Sequence, residues 1–163
     1  MIKKSLASVF LSISLFASSE VELTQEEIKM QEQIKVYEEA ALKDDSDAFF
    51  ELGKIYFDGL YVNKDYEKAL KYFNASYYLG NITGAYNLAL FYLSKKSIYH
   101  DEKKALSIFL ELARKGHAPS QNKVGMFLTS GIVLDVDYKE AVKWYEKSSK
   151  QGYVSAQCNL AFM

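Results

Sequence analysis

Positions 52, 88, 124 and 160 of this chain are Leu, Leu, Val and Leu, each 36 residues after the last, and each is followed by Gly53, Ala89, Gly125 or Ala161. The same step links Ala48, Gly84, Ser120 and Ala156; Asp65, Asp101 and Asp137; Ala69, Ala105 and Ala141; Phe73, Phe109 and Tyr145; and Gly80, Gly116 and Gly152. No insertion interrupts the period. A chain that repeats itself at a fixed step of this length is one supersecondary unit stacked on copies of itself, so it grows along one axis rather than around one centre.

Each class of repeated position has a physical task. Leu52, Leu88, Val124 and Leu160, with Tyr56, Tyr92 and Leu128 one turn later, form the apolar stripe of a first helix, A. The small residues at 48, 84, 120 and 156 and at 53, 89, 125 and 161 lack bulk, so neighbouring helices can approach there. Asp65, Asp101 and Asp137 precede a helical stretch and can accept from its free first-turn amides, starting a second helix, B; Asp137 with Glu140 resembles a capping box. Gly80, Gly116 and Gly152 follow the last turn of B, where a left-handed residue closes a helix without Cβ strain. Pro119, the only proline, falls at the start of the third A helix, where its missing N–H costs nothing. Upstream, Thr24-Gln-Glu-Glu27 is a capping-box pattern, and Ile28, Ile34, Tyr37, Ala40 and Ala41 recur near 3.6 spacing until Lys43–Ser46 breaks it.

One proline and eight glycines among 163 residues, with 13 Tyr and 10 Phe, favour long aromatic-packed helices over a turn-rich sheet. The expected class is all-α. A net charge of −1 with both signs interspersed leaves no basic field for nucleic acid. Met1-Ile-Lys-Lys4 followed by the apolar stretch Ser5–Phe16 and the small residues Ala17-Ser-Ser19 reads as a secretory signal peptide, residues 1–19, cut before Glu20. The stretch is too short to span a bilayer, and no membrane insertion is expected after cleavage. Removing Lys3 and Lys4 leaves 18 basic against 21 acidic side chains, a mildly acidic product with a periplasmic or secreted location. Cys158, the only cysteine, has no partner for an internal disulfide, and free cysteine is among the most buried residue types, so it is expected to be buried and inert. The expected organisation is therefore a signal peptide at 1–19, a capping helix at 20–46, and repeats at 47–82, 83–118, 119–154 and, in part, 155–163.

The units Ala48-x-x-x-Leu-Gly-x-x-Tyr-x-x-Gly59…Asp65-Tyr-x-Lys-Ala69-x-x-Tyr-Phe73…Gly80 and Asp137-Tyr-x-x-Ala141-x-x-Trp-Tyr145-x-x-Ser-x-x-x-Gly152 resemble the Sel-one-like repeat family, a relative of the tetratricopeptide repeats. The resemblance implies antiparallel helix pairs stacked into a right-handed α-solenoid whose concave side binds peptides or proteins, and an adaptor or scaffold role without cofactor. The family's loop between A and B usually reads Gly-x-Gly-Val; here it is Gly59-Leu-Tyr-Val62, Lys95-Lys-Ser-Ile98 and Gly131-Ile-Val-Leu134. A secreted branch, the cysteine-rich proteins of Helicobacter, is similar in export and repeat, and some of its members are described as β-lactamases or penicillin binders. That branch ties each helix pair with a disulfide, for which this chain lacks the cysteines.

For catalysis, His100 in the middle loop and His117 after Gly116 have no metal-ligand partner at i+3 or i+4 and are expected to be exposed loop histidines. Ser120-Gln-Asn-Lys123 matches the Ser-x-x-Lys pattern in which a lysine activates a serine. Ser120, however, sits at the small-residue packing position shared with Ala48, Gly84 and Ala156. The expected reading is non-enzymatic, with a β-lactamase-like or penicillin-interacting protein as the alternative and no metal site. Half a turn from the core stripe of the A helices lie Phe50, Tyr86, Asn122 and Cys158, and one turn on Lys54, Leu90 and Met126. These make a mixed aromatic and apolar ladder suited to a partner segment, with Phe50 and Tyr86 as anchors. At the C-terminus, Val154–Met163 supplies most of an A helix with no B helix after it, and its apolar Leu160, Phe162 and Met163 are expected either to dock in a homo-oligomer or to mark a shortened relative of longer arrays.

Overall fold

A computed structural model describes residues 23–163; the expected signal peptide and residues 20–22 lie outside the described residues. Eight helices and no strand occur among the described residues: α1 (Gln25–Ala41), α2 (Ser46–Asp58), α3 (Tyr66–Tyr78), α4 (Ile82–Leu93), α5 (Glu102–Arg114), α6 (Ala118–Ser130), α7 (Tyr138–Ser149) and α8 (Val154–Ala161). The fold is an all-α solenoid. α2, α4, α6 and α8 are the A helices, and α3, α5 and α7 the B helices. Each helix packs chiefly on its neighbours in sequence, and consecutive A helices α2 and α4 also touch.

Every boundary has a local cause. The Asp65, Asp101 and Asp137 carboxylates accept from the amides of Lys68, Lys104 and Glu140 at 2.9, 3.0 and 2.9 Å, satisfying donors that a helix start leaves free. Glu140 does not complete a capping box; its carboxylate turns to Lys143 at 2.8 Å. At α1 the box is complete, with Glu27 N–H on Thr24 Oγ1 at 3.2 Å and Thr24 N–H on Glu27 Oε2 at 2.7 Å. Gly80, Gly116 and Gly152 end the B helices at φ 84°, 93° and 82°. Asp44 takes that place after α1 at φ 58°, one repeat length before Gly80, so α1 is in register as a preceding B helix.

The A–B loops differ in sequence yet close identically. Asp65 N–H donates to Tyr56 O, Asp101 N–H to Tyr92 O and Asp137 N–H to Leu128 O, at 2.9, 2.8 and 3.0 Å. The glycine-free middle loop manages this by leaving α4 through an extended Ser94 and burying Ser97, whose hydroxyl accepts from Tyr99 N–H at 3.1 Å. Its neighbours instead leave α2 and α6 through left-handed Gly59 and Gly131.

The core is a large cluster running from Ala69 and Phe73 to Ala141 and Tyr145, and a smaller one of Ile34, Leu52 and Ile55 where α1 meets α2. Leu52, Leu88 and Val124 are at most 1% exposed, and Ala69, Ala105 and Ala141 are fully buried; burying a side chain of the first kind contributes about 1.5–3 kcal/mol. The aromatic at the middle of each B helix lies on the small residue of its own A helix. A methyl group added at Gly53 would come within 2.6 Å of the Phe73 ring, and one at Gly125 within 2.5 Å of Tyr145. Gly84 has the complementary task between repeats, since a methyl group there would collide with Ser76 of the preceding B helix. Ser76 and Ser148, both fully buried, donate to Ser46 O and Ala118 O at 2.8 and 2.7 Å and so tie the end of B to the start of A. The middle repeat has Leu112 there, 2% exposed, and holds the position by packing alone.

Cys158 departs from expectation. It is exposed. The same position in α6, Asn122, is buried, with its amide oxygen accepting from Asn159 of α8 at 2.8 Å.

The aromatic-on-glycine contact yields a direct test. Gly53→Ala and Gly125→Ala should each lower unfolding free energy by about 1–3 kcal/mol through overpacking, measured by chemical denaturation. Ala89→Gly, at the same position under Phe109, should cost only the about 1 kcal/mol of a helical glycine plus its lost methyl contacts.

Candidate functional site

The A helices place their 36-residue ladder along one face, and the seams between them open into pockets. Between α2 and α4 a cavity of about 280 Å³ is lined by Phe50, Lys54, Phe57, Asp58, Phe73, Asn87, Leu90 and Phe91. Between α4 and α6 a second, of about 300 Å³, is lined by Leu93, Lys95, Glu102, Lys123, Met126, Phe127, Ser130 and Ile132. Leu93, Lys123, Met126 and Phe127 lie one repeat after Phe57, Asn87, Leu90 and Phe91, so half of each lining corresponds in register, while Phe50, Lys54, Asp58 and Phe73 in the first pocket and Lys95, Glu102, Ser130 and Ile132 in the second do not. A third, of about 210 Å³, opens between α1 and α2 with Glu51, Lys54, Ile55 and Asp58 on its α2 wall.

The anticipated ladder residues fall into different surroundings. Phe50, Lys54 and Leu90 come together in the first pocket. There the Phe50 ring packs 6.5 Å from Phe73, and the Lys54 ammonium sits 4.9 Å from the Phe50 ring centre and 2.8 Å from Glu51. Met126 is 42% exposed at the second pocket. Tyr86 instead packs inward, 5.5 Å from Phe109 and 5.2 Å from His117, and burial followed by the nearby Tyr153 pushes its phenol up to about 12. Asn122, 3% exposed, is held between α6 and α8. The pocket floor was missed from sequence: Phe57 and Phe91, 5.8 Å apart edge to face, were absent from the ladder because they lie between the stripe positions. Their shared register with Leu93 and Phe127 is the signal that would have found them.

His117 is not an exposed loop residue. It is the N-cap residue of α6, half-buried against Tyr86, with Nδ1 2.8 Å from Ser120 Oγ. Ser120 is fully buried, so the hydroxyl of the Ser-x-x-Lys motif faces its neighbours and has no surface from which to attack a bound substrate. His100 stays on the middle loop, 3.5 Å from Glu102. Among the described residues no group of three His, Cys, Asp or Glu is placed to hold a metal ion, and no helix is long and apolar enough to cross a membrane.

The Sel1 repeat model matches the chain three times, at residues 46–81, 82–117 and 118–153. The chain belongs to the Sel1 repeat family. Among solved structures it is similar to a Sel1 repeat protein from Oxalobacter formigenes, at 28% identity and a TM-score of 0.70 over 77% of this chain and 51% of that one. It is also similar to c5321, a protective antigen of uropathogenic Escherichia coli strains with an SLR fold, at 25% identity and a TM-score of 0.70 over 78% of this chain and 27% of that one. The chain thus spans about half of the first protein's length and about a quarter of the second's. Sel1 repeat proteins generally serve as protein–protein interaction modules, and the fold is typically a non-enzymatic scaffold.

Burial holds the His117 imidazole below its ordinary value of 6.5. A charge there would also face the positive end of α6. Below pH 6.5 the unfolded chain therefore binds a proton that the folded chain resists, so stability is present above that pH and is lost as pH falls. Denaturation midpoints should drop between pH 7.5 and pH 6. In His117→Asn, which restores the cap type of Asn81, that step should flatten.

Proposed function

We propose that this Sel1 repeat chain is an exported, non-catalytic protein-interaction module that seats a segment of a partner polypeptide along its A-helix face. The observation that carries the reading is the repetition of the pocket. Two pockets of nearly equal volume share four lining positions 36 residues apart and present apolar floors with polar rims, most of their lining coming from the A helices and the loops that follow them. The seam between the B helices α3 and α5 holds only a small pocket of about 20 Å³, lined by Tyr77, Glu111 and Leu112 among others. Discrete apolar pockets with a few polar groups at the rim are what an interface takes as anchor sites.

Phe50, Lys54 and Leu90 are the anchoring residues at the first seam and Met126 at the second. Tyr86 and Asn122 support the face from beneath, Tyr86 by stacking on Phe109 and Asn122 through Asn159. Export follows from the leader at residues 1–19, and the acidic mature chain works in the periplasm or outside the cell.

Met126→Glu puts a charge into the second seam at a half-exposed position, so unfolding free energy should move by no more than about 0.5 kcal/mol. Affinity capture from a periplasmic extract with this variant should recover at least tenfold less of the polypeptides held by the unaltered chain. Equal recovery would remove the A face as the binding surface. N-terminal sequencing of chain recovered from the periplasm should begin at Glu20; an intact Met1 in the cytoplasmic fraction would remove export.

A further inference from the structure

The A helices share one fold and differ steeply in charge. α2 carries Asp47, Glu51, Lys54 and Asp58; α4 carries no charged residue; α6 carries Lys123 alone. The gradient follows the register. Glu51, Asn87 and Lys123 are one position in successive repeats, as are Asp47, Thr83 and Pro119, and Asp58, Ser94 and Ser130. Lys54 breaks the trend, and its ammonium is 2.8 Å from Glu51, leaving Asp58 at the rim of both pockets that α2 lines. At the far seam Lys123 and Lys95 form no ion pair among the described residues, and the acid on that rim, Glu102, lies 3.5 Å from His100. The apolar pockets are thus strung between an acidic end over α2 and a basic end over α6.

We propose that this polarity selects and orients the partner: the occupant is a polypeptide segment with two apolar side chains, one per seam, flanked by a basic residue over α2 and an acidic residue over α6. The inference rests on the A face being the binding surface. The two pockets lie one A-helix step apart, which sets the distance between the two apolar side chains. The ends of the face are more than a Debye length of about 8 Å apart at physiological salt, so each acts on the residue directly above it rather than through a shared field. Charge on a rim contributes to selectivity and to the direction of docking more than to raw affinity, while the apolar seams supply the holding energy. A segment entering reversed would set its acid against Asp58 and its base against Lys123, and would be rejected at both ends.

The test uses a phage-displayed library of random dodecapeptides panned on the immobilised full chain, with Kd values of synthesised winners measured by fluorescence anisotropy. Enriched peptides are expected to hold two apolar residues between a basic and an acidic flank and to lose at least tenfold in affinity for Met126→Glu. They should also lose severalfold for Lys123→Glu and recover when their acidic residue is replaced by Lys. Peptides that lose affinity for Met126→Glu but show no flank bias and ignore Lys123→Glu would overturn the polarity while leaving the A face as the binding surface. Peptides indifferent to both variants would overturn the A face itself and the polarity with it.

Discussion

The contact on which the solenoid depends is the seating of one aromatic ring on one missing side chain. Phe73 lies over Gly53 and Tyr145 over Gly125 at distances that admit no methyl group, and Phe109 and Ala89 hold the same places in the middle repeat, both fully buried. This contact fixes how closely B approaches A within a repeat. The fixed approach brings the fully buried alanines of B onto the stripe of A, and it puts Ser76 and Ser148 within hydrogen-bond reach of the start of their own repeat's A helix. Because an aromatic over Gly or Ala recurs in each repeat, the A helices are spaced in a similar way along the stack, and openings appear between α2 and α4 and again beside α4 and α6. The pockets of the A face are in that sense a consequence of the core.

The repeat also divides labour between invariant and variable positions. Those that start, stop or space the helices hold their residue type from repeat to repeat: the N-capping aspartates, the closing glycines and the small residues. Those that face outward on A do not, as Glu51, Asn87 and Lys123 illustrate. A solenoid's stability is a sum of like terms, one per repeat and one per junction. Its outward face is free to carry a pattern that is not periodic, and the charge gradient from α2 to α6 is such a pattern.

Much of the architecture was legible in the sequence because local chemistry and the global period agree. Asp65, Asp101 and Asp137 begin helices for the same reason an isolated helix would begin, and the glycines at 80, 116 and 152 end them in the left-handed region. The middle loop was harder, since Lys95–Ile98 lacks the family's glycines, and only the structure shows that its closure is carried by the Asp101 amide on Tyr92. Side-chain surroundings one step outside the stripe were the least legible. His117 reads as a loop residue until the turn after Gly116 places it as the α6 cap against Tyr86, and Cys158 reads as buried by type although it is exposed. Phe57 and Phe91 are core by composition and pocket floor by position. That double role follows from the spacing of the A helices, which no single repeat specifies.

The A face as the place where a partner sits is tested most directly by hydrogen–deuterium exchange on the chain with and without a bound polypeptide. Added protection is expected in the outward turns of α2, α4 and α6, around residues 50–58, 87–94 and 123–130. The outer turns of α3, α5 and α7 should exchange unchanged. Protection concentrated on those B helices, with the A-helix segments unaffected, would contradict it.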